Sequence, residues 1–247
     1  MSPTVCLTVD VEDWYDGMAV LGEPIERPAG ARSGLDGLSD LLGASGGEPH
    51  VTLFVVGNYV PTVAAELAAL ADAGHEIGSH GPDHGRLPED ADALLDWLRR
   101  GRQSAEDAVQ RPVTGFRSPR FDVPGSMELA RYRDLVAEAG FTYVSDTRRL
   151  GAASPVRELP VLTAHRVPMG GGSYQRLLPL RAVTSAVDTS EGPAVLYYHS
   201  YDFGATLPTT ASIRSVAVAK QLLGRGRVAA MFSQLLDRYG SKACADV

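Results

Sequence analysis

The sequence has few cysteines and no long apolar run. Cys6 and Cys244 are its only cysteines, and neither has the paired spacing of a cysteine metal site or of a disulfide framework. No segment approaches the about 20 consecutive apolar residues that a transmembrane helix needs, so we expect no integral membrane segment. The N-terminus also lacks the charged region and following apolar region that direct secretion. With Met1 as the native start, we expect a cytoplasmic protein.

Positive charge is also scarce. The chain carries 23 Lys and Arg against 30 Asp and Glu, a formal net charge of −7, and it has no basic cluster beyond short pairs. This balance argues against a nucleic-acid partner. The apolar fraction of 44% is that of an ordinary globular protein, which excludes a disordered chain.

Short, β-prone apolar runs alternate with segments of helical periodicity. Strands are predicted at residues 6–9, 51–56, 75–78, 115–117, 141–144 and 194–198, and helices at residues 61–74, 90–109, 129–139 and 213–239. The alternation predicts an α/β protein with a mainly parallel sheet. Because no linker or repeat interrupts it, we interpret residues 1–247 as a single domain. The Gly- and Pro-rich stretches 22–47 and 150–179 are predicted as loops.

Charged and imidazole side chains stand just after several predicted strands. They are Asp10, Glu12, Asp13, His80, Arg117, Asp146 and His199. In an α/β barrel the chemistry is carried at the C-terminal ends of the strands. These residue types are those of a hydrolytic metal site, so we expect an enzyme.

His80 and His84 are four residues apart. On a helical turn this spacing directs both imidazoles to one point, as a shared metal requires. Gly81 and Pro82 disfavour a regular helix, so we expect a loop. The alternative is a surface turn with two solvated histidines, and the strand that ends just before His80 favours the metal site.

Three carboxylates, on Asp10, Glu12 and Asp13, follow the first predicted strand. In an extended chain Asp10 and Glu12 share a face. Crowded carboxylates repel one another unless a cation or an arginine neutralises them. The alternative is a helix cap or a solvated loop, but the apolar run that leads into the acids favours a site.

Arg117 and His199 also follow strands. A buried arginine beside a carboxylate keeps it ionised and fixes its orientation, whereas the alternative is an exposed arginine. A histidine at a strand end can act as a general acid or base near neutral pH. A lone histidine is more often structural, so the assignment of His199 depends on the other residues.

Together these segments resemble the polysaccharide deacetylases, also called the NodB-homology or carbohydrate esterase family 4 group. Five segments match the family's motifs in order: Thr8-Val9-Asp10-Val11-Glu12-Asp13-Trp14, His80-Gly81-Pro82-Asp83-His84, Arg117-Ser118-Pro119-Arg120-Phe121, Ser145-Asp146-Thr147 and Leu196-Tyr197-Tyr198-His199. There are three departures. Val11 separates Asp10 from the next acid in the first motif, Gly81 stands where the family usually has a hydroxyl residue, and the usual tryptophan beside Asp146 is missing.

The resemblance implies a distorted (β/α) barrel, seven-stranded as in the family. It also implies one divalent metal ion, with zinc (Zn2+) as the first choice, held by His80, His84 and a carboxylate. In the family's first motif the base and the metal-binding acid are normally adjacent, whereas here no acid is adjacent to Asp10. We favour Asp13, because it keeps an aspartate ligand, and keep Glu12, two residues after Asp10, as the alternative.

Catalytic roles follow from the same resemblance. Asp10 matches the general base, and Arg117 would hold Asp10 in place. His199 would protonate the leaving amine, and Asp146 is a candidate for tuning His199.

Two segments further resemble a subgroup linked to exopolysaccharide biosynthesis clusters, namely residues 10–14 and 168–176. Gly170-Gly171-Gly172 lacks the following Lys-Ser/Thr of a nucleotide-binding loop, and a bare-backbone loop that lines a sugar cleft fits it better. Four aromatic residues either stack on sugar rings or pack within the protein: Trp14, Tyr15, Tyr174 and Tyr201.

The predicted function is therefore the metal-dependent removal of acetyl groups from N-acetylated amino sugars in a polysaccharide, a glycolipid or a sugar-containing metabolite. The first alternative is hydrolysis of a C–N bond in a non-sugar amide or ureide. A second is an inactive carbohydrate-binding protein, and the complete set of catalytic residues counts against it. The sugar and the oligomeric state stay open.

Overall fold

The structure, a computed structural model, describes residues 3–16, 34–164, 169–204 and 223–247. The chain forms two compact units. The first unit comprises Met1–Pro49 and Leu162–Lys242, and the second unit comprises His50–Val161 and Ala243–Val247. The interpretation of residues 1–247 as a single domain stays a prediction.

The described residues contain both element types that the sequence predicts. The strands are β1 (Val5–Val11), β2 (Thr52–Val55), β3 (Glu76–Ser79), β4 (Gly115–Phe116), β5 (Tyr143–Val144), β6 (Arg157–Glu158) and β7 (Ala194–His199). The helices are α1 (Leu35–Gly43), α2 (Val60–Asp72), α3 (Ala91–Val109), α4 (Leu129–Glu138), α5 (Gly172–Leu177), α6 (Leu180–Asp188) and α7 (Val228–Tyr239).

In the first unit, β1 and β7 run parallel. Their register pairs Val5 with Ala194 at one end and Asp10 with His199 at the other. β1 is buried along its whole length, which explains its nearly continuous apolar sequence. Its one neutral polar residue is satisfied, because the Thr8 hydroxyl donates a hydrogen bond to the carbonyl oxygen of Leu196 at 2.9 Å.

In the second unit, five strands form a parallel sheet in the order β6-β5-β4-β3-β2. The helices α2, α3 and α4 connect consecutive strands from β2 to β5. The predicted α/β class with parallel strands is therefore confirmed. Because all five strands run the same way, the residues that follow them stand at one edge of this sheet.

Local sequence explains where the helices of the second unit begin and end. Pro61 lies in the first turn of α2, where its fixed φ suits a helix and its missing N–H costs nothing. Gly74 lies two residues beyond the end of α2 with φ 91°, a conformation that glycine adopts without strain. Asp90 caps α3, since its Oδ1 atom accepts a hydrogen bond from the Ala93 amide at 2.9 Å.

The sequence does not predict four of these elements, namely α1, α5, α6 and β6. Strand β6 and helix α5 lie within the stretch 150–179 that was predicted as a loop, and α6 follows that stretch directly. Helix α1 lies within the stretch 22–47 that was predicted as a loop, and it buries three leucines on one face. The surrounding glycines conceal that short periodic segment. Strand β6 has only two residues, too few for a periodic signal. Of the predicted helix 213–239, residues 228–239 form α7, and residues 213–222 lie outside the described residues.

Among the residues that the structure describes, no helix is both long enough and apolar enough to cross a bilayer.

Candidate active site

Asp10 and His199 lie near the C-terminal ends of β1 and β7 and are paired in the register of the two strands. Asp10 is buried, with 3% of its surface exposed. In-register residues of neighbouring strands point to the same face, so the first unit places a carboxylate and an imidazole side by side.

The acids that follow Asp10 have different surroundings. The backbone carbonyl oxygen of Glu12 accepts a hydrogen bond from the Ser200 hydroxyl at 2.6 Å, and its Oε1 atom lies 3.8 Å from Nε2 of His199. Asp13 accepts a hydrogen bond at Oδ1 from the Tyr15 amide at 2.6 Å. That contact is the local turn capping considered as the alternative for this segment. The Glu12 side chain instead stands beside the predicted general acid.

His199 is held on three sides. Its Nδ1 atom lies 3.4 Å from Oδ2 of Asp202. The Tyr201 ring stacks on the imidazole at 4.8 Å with 4° between the planes, and the Tyr197 ring meets it edge-on at 5.7 Å. Burial opposes protonation of His199, but the Asp202 hydrogen bond and the charge of Glu12 outweigh burial and raise its pKa above the ordinary value.

Asp202 is itself bound by an arginine. Its Oδ1 atom lies 2.6 Å from Nη2 of Arg176, and both side chains are almost fully buried. Burial alone would raise the pKa of Asp202, but the His199 hydrogen bond and the Arg176 charge lower it below the ordinary value. Asp202 is not among the site residues predicted from the sequence, although an acid three residues after a capping residue is a recognisable capping-box signal. His199 and Asp202 form such a box.

The aromatic residues near these strands mostly pack within the protein. Trp14 and Tyr201 are buried, and their rings stack at 4.2 Å. The Arg225 guanidinium lies 5.2 Å from the centre of the Trp14 ring. Of the four aromatics considered for sugar stacking, these two therefore follow the packing alternative, whereas Tyr174 is 49% exposed.

The glycine loop packs against β7. Gly171 forms an isolated parallel bridge with Tyr197, and the Tyr197 amide donates to the carbonyl oxygen of Gly170. A Cβ atom at position 171 would overlap the Tyr197 carbonyl oxygen. The absence of a side chain therefore serves close backbone packing beside the strand that carries His199. Pro168, which belongs to the same sequence segment, lies outside the described residues.

In the second unit, two predicted site residues stand in a row with Ser145, the residue before the predicted Asp146, at one edge of the sheet. His80, Arg117 and Ser145 each come directly after a strand. The His80 amide donates to the neighbouring strand at 2.8 Å, the Arg117 amide at 3.0 Å and the Ser145 amide at 2.8 Å. Backbone hydrogen bonding thus continues one residue past each strand, and it fixes the positions of the Cα atoms that carry these side chains.

His80 and His84 lie on a loop, as predicted, with their ring centres 5.4 Å apart. The Nδ1 atom of His80 is 2.9 Å from the backbone carbonyl oxygen of Arg117. The Gly81 position accounts for one departure from the family motif, because a Cβ there would overlap the Trp97 ring. Gly81 also has φ 81°, which disfavours the usual serine or threonine.

Arg117 is completely buried. Its Nη2 atom donates to the Ser145 hydroxyl at 2.8 Å, and its guanidinium lies 4.3 Å from the Phe54 ring centre and 5.7 Å from that of Phe121. Phe121 reaches Arg117 through a turn in which Arg120 and Phe121 have φ 60° and 55°. This uncommon conformation for non-glycine residues holds the aromatic ring of the third motif against the arginine.

Asp146 has a dense set of partners within the second unit. Its Oδ1 atom accepts from the amides of Thr147 and, at 2.8 Å, Arg148. Its Oδ2 atom lies 3.0 Å from Nη2 of Arg133, which is fully buried and also binds Glu158 at 3.0 Å. These contacts anchor the loop after β5. The predicted role of Asp146 in tuning His199 stays a prediction.

Each unit therefore collects part of the predicted site at the ends of its strands. The first unit brings together Asp10, Glu12 and His199, with Asp13 turned to local capping. The second unit brings together His80, His84 and Arg117. Carboxylates and imidazoles are the donor types that a divalent cation binds.

Family models match most of the chain in two parts. Residues 45–144 match the model described as polysaccharide deacetylase, and residues 136–247 match one described as a domain of unknown function, DUF3473. No match was found among curated proteins.

Several solved structures share the fold. A protein from Mycobacterium smegmatis described as a polysaccharide deacetylase is 21% identical over 97% of this chain and 91% of that chain, with a TM-score of 0.60. A carbohydrate esterase family 4 pseudoenzyme from Bacillus anthracis is 14% identical with a TM-score of 0.56. The match covers 99% of this chain, which spans 65% of that chain. A family 4 acetyl xylan esterase from Clostridium thermocellum, whose structure holds a cobalt ion, is 15% identical over 98% of this chain and 89% of that chain, with a TM-score of 0.52.

At these identities the solved structures establish the fold. The seven-stranded, distorted (β/α) barrel of NodB type that the motifs led us to expect is confirmed. The narrower resemblance to the exopolysaccharide-cluster subgroup stays a prediction.

Proposed function

We propose that the protein is a metal-dependent hydrolase. A family model and the fold both relate the chain to the polysaccharide deacetylases of carbohydrate esterase family 4. The reaction is the removal of acetyl groups from N-acetylated amino sugars in a polysaccharide, a glycolipid or a sugar-containing metabolite. The products are acetate and a free amino sugar.

The residues fit one divalent cation, for which we propose zinc. Glu12, His80 and His84 offer one carboxylate and two imidazole ligand atoms, a set that zinc binds readily while keeping positions open for water and substrate. The carbonyl of Arg117 accepts from Nδ1 of His80, which leaves Nε2 unprotonated for a metal. We choose Glu12 over Asp13 because Asp13 caps the turn that follows it.

When bound, the cation would polarise the amide carbonyl and lower the pKa of water. Asp10 would accept a proton from the attacking water, and Arg117 would orient Asp10. His199 would donate a proton to the amine nitrogen as the C–N bond breaks. Its raised pKa favours the protonated form that this step needs.

The observation that carries this proposal is the register of β1 and β7. It sets Asp10 and His199 opposite each other at the ends of adjacent strands. Hydrolysis of an amide needs a base for the water and an acid for the amine, and both groups must reach atoms that are bonded to one reacting carbon. A pair fixed by backbone hydrogen bonds is preorganised for such a division of labour.

The proposal is tested by measuring acetate and free amine released from N-acetylhexosamine oligomers by the zinc-loaded protein. We expect both products in equal amounts, and none from a His80→Ala variant. A panel of non-sugar amides and ureides is measured in parallel. Turnover on that panel alone would contradict the sugar substrate. Bound zinc without turnover on any substrate would contradict the enzymatic function and favour an inactive carbohydrate-binding protein.

The cytoplasmic location stays a prediction. It is tested by fractionating cells that produce the protein from its natural gene.

A further inference from the structure

We propose that Asp202, held by Arg176, is the positioning residue for His199. Asp202 would fix the ring so that Nδ1 carries a hydrogen and Nε2 is the atom that exchanges a proton with substrate. This inference rests on the proposed function, in which His199 protonates the leaving amine.

The contact geometry defines the tautomer. The Oδ2 atom of Asp202 lies 3.4 Å from Nδ1 and 3.3 Å from the backbone nitrogen of His199. An ionised carboxylate only accepts hydrogen bonds, so Nδ1 must be the donor. A single oxygen therefore holds both the main chain and the ring of His199. The opposite ring nitrogen, Nε2, is the one that faces Glu12.

Arg176 keeps Asp202 in the state that this role requires. The two side chains are 0% and 2% exposed, with 2.6 Å between Nη2 and Oδ1. A buried carboxylate without a cation would take up a proton. A protonated Asp202 could no longer be relied on to accept from Nδ1. The arginine lies at the end of α5, where Gly224 allows close packing because a Cβ there would overlap the Arg176 carbonyl oxygen.

The rings of Tyr197 and Tyr201 and the Asp202 hydrogen bond together fix the orientation of the His199 imidazole. Tyr201 lies parallel to the imidazole and Tyr197 stands at 87° to it. Stacking defines the plane of the ring, but the two orientations related by a 180° rotation about the Cβ–Cγ bond share that plane. The Asp202 hydrogen bond selects one of these orientations, since a flip would replace Nδ1 with a carbon. The packing and the carboxylate thus have separate effects.

Asp202 suits this role better than Asp146. Both oxygens of Asp146 are engaged, one by the amides of residues 147 and 148 and the other by Arg133. Nδ1 carries a single hydrogen, and Asp202 accepts it.

The first test reads the tautomer directly, without any substrate. Zinc-loaded protein labelled with 15N in histidine is studied by NMR at one fixed pH, and a His199→Ala variant assigns the signals. We expect a protonated Nδ1 in the wild type. In Asp202→Asn, Arg176 attracts the amide oxygen, so the NH2 group faces Nδ1 and the hydrogen moves to Nε2. An unprotonated Nδ1 in the wild type, or an unchanged Nδ1–H in Asp202→Asn, would overturn the proposal.

The matched control is Asp188→Asn. Asp188 also pairs with an arginine in the first unit, with 3.0 Å between its Oδ2 atom and Nη2 of Arg238, but the pair is exposed. We expect this variant to keep the wild-type tautomer and activity. A change in the His199 signals in this control would mean that the tautomer responds to any lost charge, and the proposal would fail.

The second test separates positioning from a purely structural role. Proton donation matters for an amine leaving group and hardly at all for an activated aryl acetate. We expect Asp202→Asn to lose about 100-fold or more in kcat on the N-acetyl sugar and to keep most of its aryl acetate hydrolysis. Asp202→Glu, which restores the charge, should recover part of the sugar activity. Equal losses on both substrates would show a structural role. If the wild type itself hydrolyses no amide, the proposed function fails, and the NMR result still decides the role of Asp202.

Discussion

His80 donates from its Nδ1 atom to the backbone carbonyl oxygen of Arg117, 2.9 Å away. The acceptor belongs to the main chain, so its position does not depend on side-chain rotation. The contact joins the second motif to the third and fixes both the tautomer and the plane of the His80 ring. A metal ligand held in this way needs little reorganisation to bind its ion.

The first prediction concerns the two histidines. His80→Ala and His84→Ala should each lose the metal and nearly all activity while remaining folded, because the buried core of the second unit does not depend on an ion. Metal analysis of the purified variants and their thermal unfolding check this. His50→Ala, on the same unit, is the control and should keep the metal. Full metal occupancy in either variant would remove that histidine from the ligand set.

The second prediction decides between the two candidate acids. Glu12→Gln should weaken zinc binding at least about tenfold, or about 1.4 kcal/mol, since an amide is a poor substitute for a carboxylate ligand. Asp13→Asn should leave affinity nearly unchanged, because asparagine can still accept the Tyr15 hydrogen bond. Competition titration with a chelator measures both. The opposite order of losses would make Asp13 the ligand.

The third prediction separates the base from the metal ligands. Asp10→Asn should bind zinc normally but lose turnover, because an amide oxygen does not take up a proton at neutral pH. Metal content and acetate release are measured on the same preparation. Loss of metal together with turnover would make Asp10 a ligand, and the base would have to be sought elsewhere.

The fourth prediction tests when His199 acts. His199→Ala should reduce kcat/KM far more on an N-acetyl sugar than on an activated aryl acetate, because an aryloxide can leave without a proton. The measurement is kcat/KM of the variant divided by kcat/KM of the wild type on each substrate. If both ratios fall equally, His199 supports water attack or the fold, and the general-acid role is withdrawn.

The fifth prediction uses two carboxyls of the second unit with opposite pKa shifts. Burial raises the pKa of Glu76 above its ordinary value of 4.5, although hydrogen bonds from Thr52 and Tyr143 oppose this. The folded state therefore favours protonated Glu76, whose contribution to stability is complete below pH 4.5 and is lost as pH rises through the folded pKa. The free energy of unfolding of the wild type, relative to that of Glu76→Gln, should therefore fall as pH rises from acid to neutral.

Glu158 gives the matched control of opposite sign. Its burial would raise the pKa, but hydrogen bonds from the Leu150 amide and from Arg133 lower it below 4.5. Its contribution is present above that pH and is lost as pH falls through the folded pKa. Compared with Glu158→Gln, the wild type should therefore lose stability toward acid. Urea unfolding at a series of pH values gives the difference in unfolding free energy between the wild type and each variant. If the two differences change with pH in the same direction, the opposite pKa shifts of Glu76 and Glu158 are contradicted.

The strands and main helices were accessible from the sequence because their signals are local. The run before Asp10 is apolar and β-prone, and the helix that ends before Gly74 shows its period and its stop signal within one segment. Strand β6 and helix α1 are too short for such a signal, or are concealed by nearby glycines. Their formation depends on neighbours that sequence periodicity does not contain.

The candidate site divides in the same way. The residue types that follow the strands can be read from the chain alone, since Asp10, His80, Arg117 and His199 are adjacent to their apolar runs. The contacts that each of these side chains makes depend on how the chain folds. In the folded chain, Asp13 accepts a hydrogen bond from the Tyr15 amide, and Asp10 is paired with His199. Arg176 binds Asp202, which lies 26 residues away in the sequence. Motif spacing is fixed along the chain, whereas a hydrogen bond between distant residues depends on how strands and helices pack.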